Sequence, residues 1–154
     1  MIGNLTSEER ILLKAFNKHG VRYIIVGLSS AVLQGAHVIT QDIDLWVEHL
    51  GSEQFLNAVK EAGAFYVPPG VAGVNPPMLG PGAFRIFDLV THMHGLDEFS
   101  VEYDKAEIMN LSGIEVRILP LERIIVSKAA ADREKDRAVL PALKAALAVK
   151  SNLK

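Results

Sequence analysis

Apolar positions recur along this chain at two spacings, one typical of helices and one typical of strands. Thr6 and Glu9 form a capping-box pattern, and the apolar residues after them follow at helical spacing, which predicts a helix over 7–18. The β-branched and aromatic run at 21–26 predicts a buried strand. A short helix is expected to follow at about 29–34.

The segment after this short helix has the pattern of a strand with one polar face. Apolar and polar residues alternate with period two from 42 to 48, which predicts a second strand over that range. Residues 53–62 are amphipathic with helical spacing, and a glycine follows them. The chain is therefore expected to begin as helix, strand, helix, strand, helix.

Proline and glycine are concentrated in the middle of the chain. Nine of the fifteen residues from 68 to 82 are Pro or Gly, which predicts a long loop, either a lid over a ligand, a partner-docking segment or a mobile connection. A third strand is expected over 84–90. Two further short strands are expected at 106–111 and 114–119, with a glycine turn between them.

The last part of the chain is predicted to be helical. Pro120 is placed to open a helix, and a final helix is expected over about 134–149, so that C-terminal helices occupy 120–149. The sequence has no internal repeat and no composition change that marks a domain boundary. We therefore expect residues 1–154 to form a single domain.

Composition excludes several kinds of chemistry. The chain has 154 residues, 49% of them apolar, and no cysteine, so disulfides, thiolate zinc sites and cysteine nucleophiles are excluded. The apolar runs are too short to span a bilayer, and the N-terminus becomes acidic and polar at once, unlike a signal peptide. These features predict a cytoplasmic protein with no membrane association. A net charge of −2 provides no overall field that would attract nucleic acid.

Three aspartates are the candidates for chemistry. Asp42 and Asp44 are two residues apart in a predicted strand, so both carboxylates are expected on one face. A divalent cation such as Mg²⁺ would neutralise this pair. Asp88 lies in an apolar strand, where a lone acid is costly without a partner, and it would join the pair if the two strands are neighbours. The simpler alternative is that these acids only keep a half-exposed strand soluble.

Three stretches resemble the nucleotidyltransferase superfamily. They are VGLSSAVLQGAHVITQDIDLWV at 26–47, FDLVTHMHGL at 87–96, and LERIIVSKAAADREKD at 121–136. The first is similar to the glycine-terminated strand, short helix and Asp-x-Asp strand of that superfamily, and the second to its third-carboxylate strand. The third resembles the helical segment of members of the abortive-infection toxin type. The resemblance implies an α+β, polymerase-beta-like fold in which a small mixed sheet is flanked by helices.

The same resemblance implies a reaction. It is the transfer of a nucleoside monophosphate from a nucleoside triphosphate to a hydroxyl acceptor, assisted by two Mg²⁺ ions. Asp42 and Asp44 would hold both ions, and Asp88 would hold one of them and help to deprotonate the acceptor. The residues implied for nucleotide binding are Gly27, Ser29, Ser30 and Lys128. The acceptor could be a protein, a tRNA or a small molecule such as an antibiotic, and an antitoxin-like partner would accompany a toxin.

Two departures from the superfamily pattern motivate a second hypothesis. Leu28 stands where a small residue usually follows the glycine, and Val38 and Ile39 occupy the region where a basic residue often precedes the aspartates. The alternative function is therefore a catalytically degenerate domain that serves as a binding or interaction module. A metal-dependent phosphohydrolase is a third option, and it would require His92 and His94 as ligands.

Other polar and aromatic residues each allow two interpretations. Lys128 could reach a triphosphate or could lie at the edge of the core. Arg133, Lys135 and Arg137 could contact an acidic acceptor such as tRNA, although the interleaved acids favour a solvated, salt-bridged helix start. Trp46 could stack on a base or could pack beneath a helix.

Overall fold

The first element of the structure is a capped helix. The computed structural model describes residues 5–70 and 76–153. Helix α1 (Ser7–Lys18) begins at the predicted capping box, in which the Glu9 N–H donates to Thr6 Oγ1 at 3.2 Å and the Thr6 N–H donates to Glu9 Oε1 at 3.0 Å. Two of the free N–H groups at the helix start are thereby satisfied. The first predicted helix is confirmed with its predicted bounds.

The remaining elements follow in an order close to the predicted one. They are β1 (Tyr23–Val26), α2 (Gly27–Leu33), β2 (Ile43–Val47), α3 (Glu53–Glu61), β3 (Phe65–Val67), β4 (Met78–Gly80), a 3₁₀ helix (Gly82–Ile86), β5 (Phe87–Val90), α4 (Phe99–Lys105), β6 (Glu107–Leu111), β7 (Ile114–Ile118), α5 (Leu121–Ala131) and α6 (Glu134–Asn152).

The strands of the described residues form one mixed sheet. Their spatial order is β3-β4-β5-β2-β1-β7-β6. β1 pairs in parallel with β7 and β2 pairs in parallel with β5, whereas the other neighbours are antiparallel. A mixed sheet flanked by helices is thus confirmed, and β2 and β5 are neighbours, as the aspartate hypothesis requires.

Helices cover both faces of this sheet, and β1 is therefore buried on both sides. Ile25 belongs to a core that includes Phe16 of α1 and Phe55 of α3. Ile24 belongs to a second core that includes Ile124 of α5 and Leu143 of α6. Alternate residues of a strand point to opposite faces, so a run of apolar residues without alternation marks a strand enclosed by two layers.

The predicted strand over 84–90 is too long at its N-terminal end. Residues 82–86 form the 3₁₀ helix, and only 87–90 form β5. Pro81 has no N–H to donate to a ladder, and the Phe84 N–H bonds back to the Pro81 carbonyl at 3.1 Å. Local turn bonds therefore replace strand pairing until Phe87.

The predicted loop over 68–82 also needs correction. Its C-terminal part contains β4, which pairs with both β3 and β5, and residues 71–75 lie outside the described part of the chain. Neighbouring strands on both sides can hold a short, Gly-containing segment extended where local sequence preference cannot. The sequence also missed β3 and α4; α4 has no side-chain cap at its start.

None of the helices described in the structure is both long enough and apolar enough to cross a membrane.

Candidate active site

The three aspartates meet on one face of the sheet. β2 and β5 run in parallel with Asp44 directly opposite Asp88, and Asp42 immediately precedes β2. Residues paired across neighbouring strands point to the same face. All three side chains line a cleft of about 460 Å³ between the sheet and the helices α5 and α6. The structure therefore brings together residues that are separated by more than forty positions in the sequence.

Gly27 permits the close approach of Asp44 to the end of β1. Gly27 has a φ of +61°, and a Cβ atom built on it would lie 2.5 Å from Asp44 Oδ2. Any side chain here would displace the carboxylate, and the left-handed backbone is costly for other residues. Glycine at this position is therefore required by the placement of Asp44.

Burial, together with the crowding of the three carboxylates, raises the pKa values of two of them. The pKa of Asp44 is raised to about 7, first by burial and then by the nearby charges of Asp88 and Asp42. Burial, the charge of Asp42 and a side-chain hydrogen bond with Asp42 also raise the pKa of Asp88. Like charges in a partly desolvated site favour protonation unless a cation joins them.

The donor chemistry of this acidic face (Asp42, Asp44 and Asp88) fits a hard divalent cation. Carboxylate oxygens are preferred ligands of Mg²⁺, and the burial and mutual repulsion that raise these pKa values both disfavour the charged carboxylates unless a cation joins them. Within residues 5–70 and 76–153, however, no three His, Asp or Glu side chains are already grouped closely enough to form a metal site. Cation binding by these three residues therefore stays a prediction.

A basic wall (Lys128, Arg133 and Lys135) faces the acidic side chains across the cleft. The charges of Lys128 and Lys135 both act to lower the pKa of Asp44, which places them within electrostatic range of it. Lys128 thus lines the cleft, and its contact with a triphosphate stays a prediction.

Asp136 is the buried anchor of this basic wall. Its side chain is fully buried and accepts from Arg133 Nε at 2.6 Å and from Arg133 Nη2 at 3.1 Å, while Lys128 Nζ lies 3.4 Å away. These bonds, with the Arg133 N–H, lower the pKa of Asp136 to about 2. The ionised form is stabilised by hydrogen bonds and neighbouring cations.

The salt-bridged helix start that the sequence favoured is present, but Asp136, one of its acids, is buried and not solvated. The helical spacing was visible, since Arg133 and Asp136 are three residues apart at a helix start. What the sequence did not show was the approach of Lys128 from the preceding helix, which encloses the carboxylate. Arg137, in contrast, makes the expected exposed pair with Asp132.

Ser29 and Ser30 do not contribute their hydroxyl groups to the cleft. Both side chains are fully buried. Ser29 Oγ donates to the Val26 carbonyl at 2.7 Å and accepts from the Asp44 N–H at 3.1 Å, and Ser30 Oγ donates to the Leu119 carbonyl at 2.7 Å. These bonds fasten α2 to β2 and to the segment before α5. Nucleotide binding by Ser29 and Ser30 stays a prediction, and it would use their backbone N–H groups.

The remaining candidates divide between the cleft and the core. Leu28, His92 and His94 line the cleft, and the two imidazole rings lie 4.7 Å apart, edge to face. Within the described residues, neither histidine belongs to a group of three potential metal ligands. Trp46 packs edge-on against Phe99, which is the core interpretation.

The comparisons with known proteins bear on the fold. No protein-family model matches the chain. No curated protein matches it either. The chain is similar to the solution structure of the antibiotic-resistance factor ANT(2'')-Ia, a nucleotidyltransferase, with a TM-score of 0.51 and 15% identity over 95% of this chain and 94% of that chain. At this identity the likeness concerns the fold alone, and the fold is nucleotidyltransferase-like.

Proposed function

We propose that this protein transfers a nucleoside monophosphate from a nucleoside triphosphate to a hydroxyl acceptor. The observation that carries the proposal is the pairing of Asp44 with Asp88 on adjacent parallel strands, with Asp42 beside them in the same cleft. The nucleotidyltransferase-like fold supports it, because that fold is shared with a protein of this activity class.

The residues of the cleft have complementary roles in this reaction. Asp42, Asp44 and Asp88 would hold Mg²⁺, which supplies positive charge to the attacking and leaving oxygens when it is bound. Lys128 would attract the triphosphate from the opposite side, and Gly27 leaves the end of β1 open to it. Asp88 takes the proton of the acceptor hydroxyl as the new O–P bond forms and pyrophosphate departs with the electrons of the broken bond.

The acceptor classes that the sequence suggested are a protein, a tRNA and a small molecule. The structural neighbour is an antibiotic-resistance factor, and a small-molecule acceptor would fit that role in the neighbour. A toxin role would add an antitoxin-like partner, and a gene for a small DNA-binding protein next to this one would support that pairing.

Calorimetric titration tests the nucleotide proposal directly. We expect one of the four ribonucleoside triphosphates to bind in the presence of Mg²⁺, and we expect Asp42→Ala and Asp44→Ala to weaken that binding by about a hundredfold, the scale of losing a charged contact in a closed site. Asp104→Ala is the matched control, since Asp104 is exposed on α4 and outside the cleft. Absence of binding for all four nucleotides would reject the proposal.

A second candidate function is a degenerate nucleotidyltransferase-like domain that acts only by binding a partner. Its support is Leu28, whose side chain lines the cleft where phosphates would approach. Under this alternative, Asp42→Ala leaves the biological effect of the protein intact. Loss of that effect in a folded Asp42→Ala variant would exclude the alternative.

A further inference from the structure

A second cavity adjoins the candidate active site at β5. It has a volume of about 300 Å³ and is lined mainly by the end of the Pro-rich segment, by β4 and by β5. Its lining includes Pro76, Pro77, Met78, Arg85 and Asp88. Cavities of this size are at the lower end of those that hold small organic molecules.

Asp88 is the residue that the two cavities share. Among their lining residues no other is common to both, and Met78 of β4 lies directly opposite Asp88 in the sheet. A molecule in the second cavity and a molecule in the main cleft would therefore both lie beside Asp88. In-line transfer needs two adjoining sites, because the attacking and leaving oxygens lie on opposite sides of the phosphorus.

Arg85 gives this second cavity its charge preference. All seven arginines of the chain lie in the described residues, and six of them make a hydrogen bond or an ion pair within the protein. Arg85 has neither in the part of the chain that the structure describes, and its side chain is exposed. An arginine fork without a partner, beside apolar walls, is suited to a carboxylate or a phosphate.

We propose that the second cavity is the acceptor site, and that it takes a small organic acid that carries a hydroxyl group. The anionic group pairs with Arg85, the apolar body contacts Met78 and the two prolines, and the hydroxyl reaches Asp88. This inference rests on the proposed function for the identity of the reaction, although the binding site itself does not require nucleotide. The acceptor O–H proton passes to Asp88, the oxygen bonds to the α-phosphorus, and the bond from that phosphorus to pyrophosphate breaks.

The preference for an anionic molecule distinguishes this cavity from one that binds any apolar molecule. A cationic acceptor would find no carboxylate in the second cavity other than Asp88 itself. A neutral molecule would form no ion pair with Arg85. The structure thus favours an anionic small molecule, and an RNA backbone is the competing outcome in the test.

A matched pair of probes tests the acceptor site without nucleotide or Mg²⁺. The probes are 4-(hydroxymethyl)benzoate and the neutral 4-(hydroxymethyl)benzamide, titrated into the full-length protein while NMR signals of the Met78 methyl group and Arg85 Nε are followed. We expect the carboxylate to shift both signals and to bind roughly fivefold or more tightly than the amide, the scale of one exposed charge-assisted contact. Arg85→Ala should abolish this preference.

The control variant is Arg10→Ala, because Arg10 bonds to the Ser112 carbonyl at the other edge of the sheet and should leave the preference unchanged. Equal binding of the two probes, absence of any shift, or a preference that survives Arg85→Ala would overturn the proposal. A short RNA hairpin that shifts these signals when the hydroxy acid does not would also reject it. Because nucleotide is absent, a negative result here is distinct from failure of the nucleotide titration.

Discussion

The basic wall and the acidic face of the main cleft differ in how their carboxylates are compensated. In the basic wall, the opposing charge is already supplied within the fold, since Asp136 accepts from Arg133 and lies beside Lys128, and its pKa falls to about 2. In the acidic face, Asp44 is partly buried beside two like-charged neighbours, and its pKa rises to about 7. The carboxylate of Asp136 is paired within the protein, whereas the carboxylates of the acidic face repel one another, and a bound cation would relieve that repulsion.

This difference separates structural charges from candidate functional charges. Removing one partner of a buried, hydrogen-bonded carboxylate leaves charges or polar groups without compensation and is strongly destabilising. A group of carboxylates without compensation reduces stability and is retained where a ligand completes it. The following predictions, from the largest expected effect to the smallest, test this contrast.

Asp136→Asn should lower the free energy of unfolding by about 1.5–3 kcal/mol, because it removes charge-assisted hydrogen bonds to a buried carboxylate. Urea denaturation at neutral pH measures the change. Asp132→Asn is the matched control: its exposed pair with Arg137 should contribute no more than about 1 kcal/mol. Similar losses in the two variants would mean that the buried anchor is no stronger than a surface ion pair.

Gly27→Ala should destabilise the protein by about 2 kcal/mol, since it combines a left-handed backbone with a contact that displaces Asp44. Gly20→Ala separates these two causes, because Gly20 has a φ of +71° and no atom within 4 Å of an added Cβ. That control should cost only about 1 kcal/mol. Equal costs, read from thermal or urea unfolding, would show that Asp44 moves aside freely.

Asp44→Asn should stabilise the protein without ligand at about pH 8 by at least roughly 1 kcal/mol, the equivalent of one pKa unit. The folded-state pKa of about 7 exceeds the ordinary value of 3.8, so the folded protein binds this proton more tightly. Stability therefore falls as the pH rises from about 4 through 7, and Asn removes that loss. The gain should disappear near pH 4; a gain that is independent of pH would contradict the electrostatic explanation.

Millimolar Mg²⁺ should raise the melting temperature of the wild-type protein by a few degrees at about pH 8, and a chelator should reverse the shift. The shift should be smaller near pH 6, because protons then compete for the same carboxylates. In Asp44→Asn we expect almost no shift. An equal shift in that variant, measured by differential scanning calorimetry, would mean that Mg²⁺ acts elsewhere.

Much of this fold follows from short-range pattern in the sequence. The capping box predicted α1 because its two reciprocal hydrogen bonds join residues three positions apart. Period-two alternation predicted β2 because a strand with one buried face alternates apolar and polar residues. The elements that were missed or misplaced depend on distant neighbours. β4 is a strand because β3 and β5 flank it, and no local signal in a Pro- and Gly-rich segment indicates that.

The site divides in the same way. Strand parity alone indicated that Asp42 and Asp44 share a face, and an acid within an apolar strand singled out Asp88. Only the tertiary structure decided that Asp88 lies opposite Asp44, that the serine hydroxyls turn inward, and that a second cavity opens beside Arg85. The physical reason is that the directions of side chains along one element are set by backbone geometry, whereas strand order and helix packing are set by burial of the whole chain.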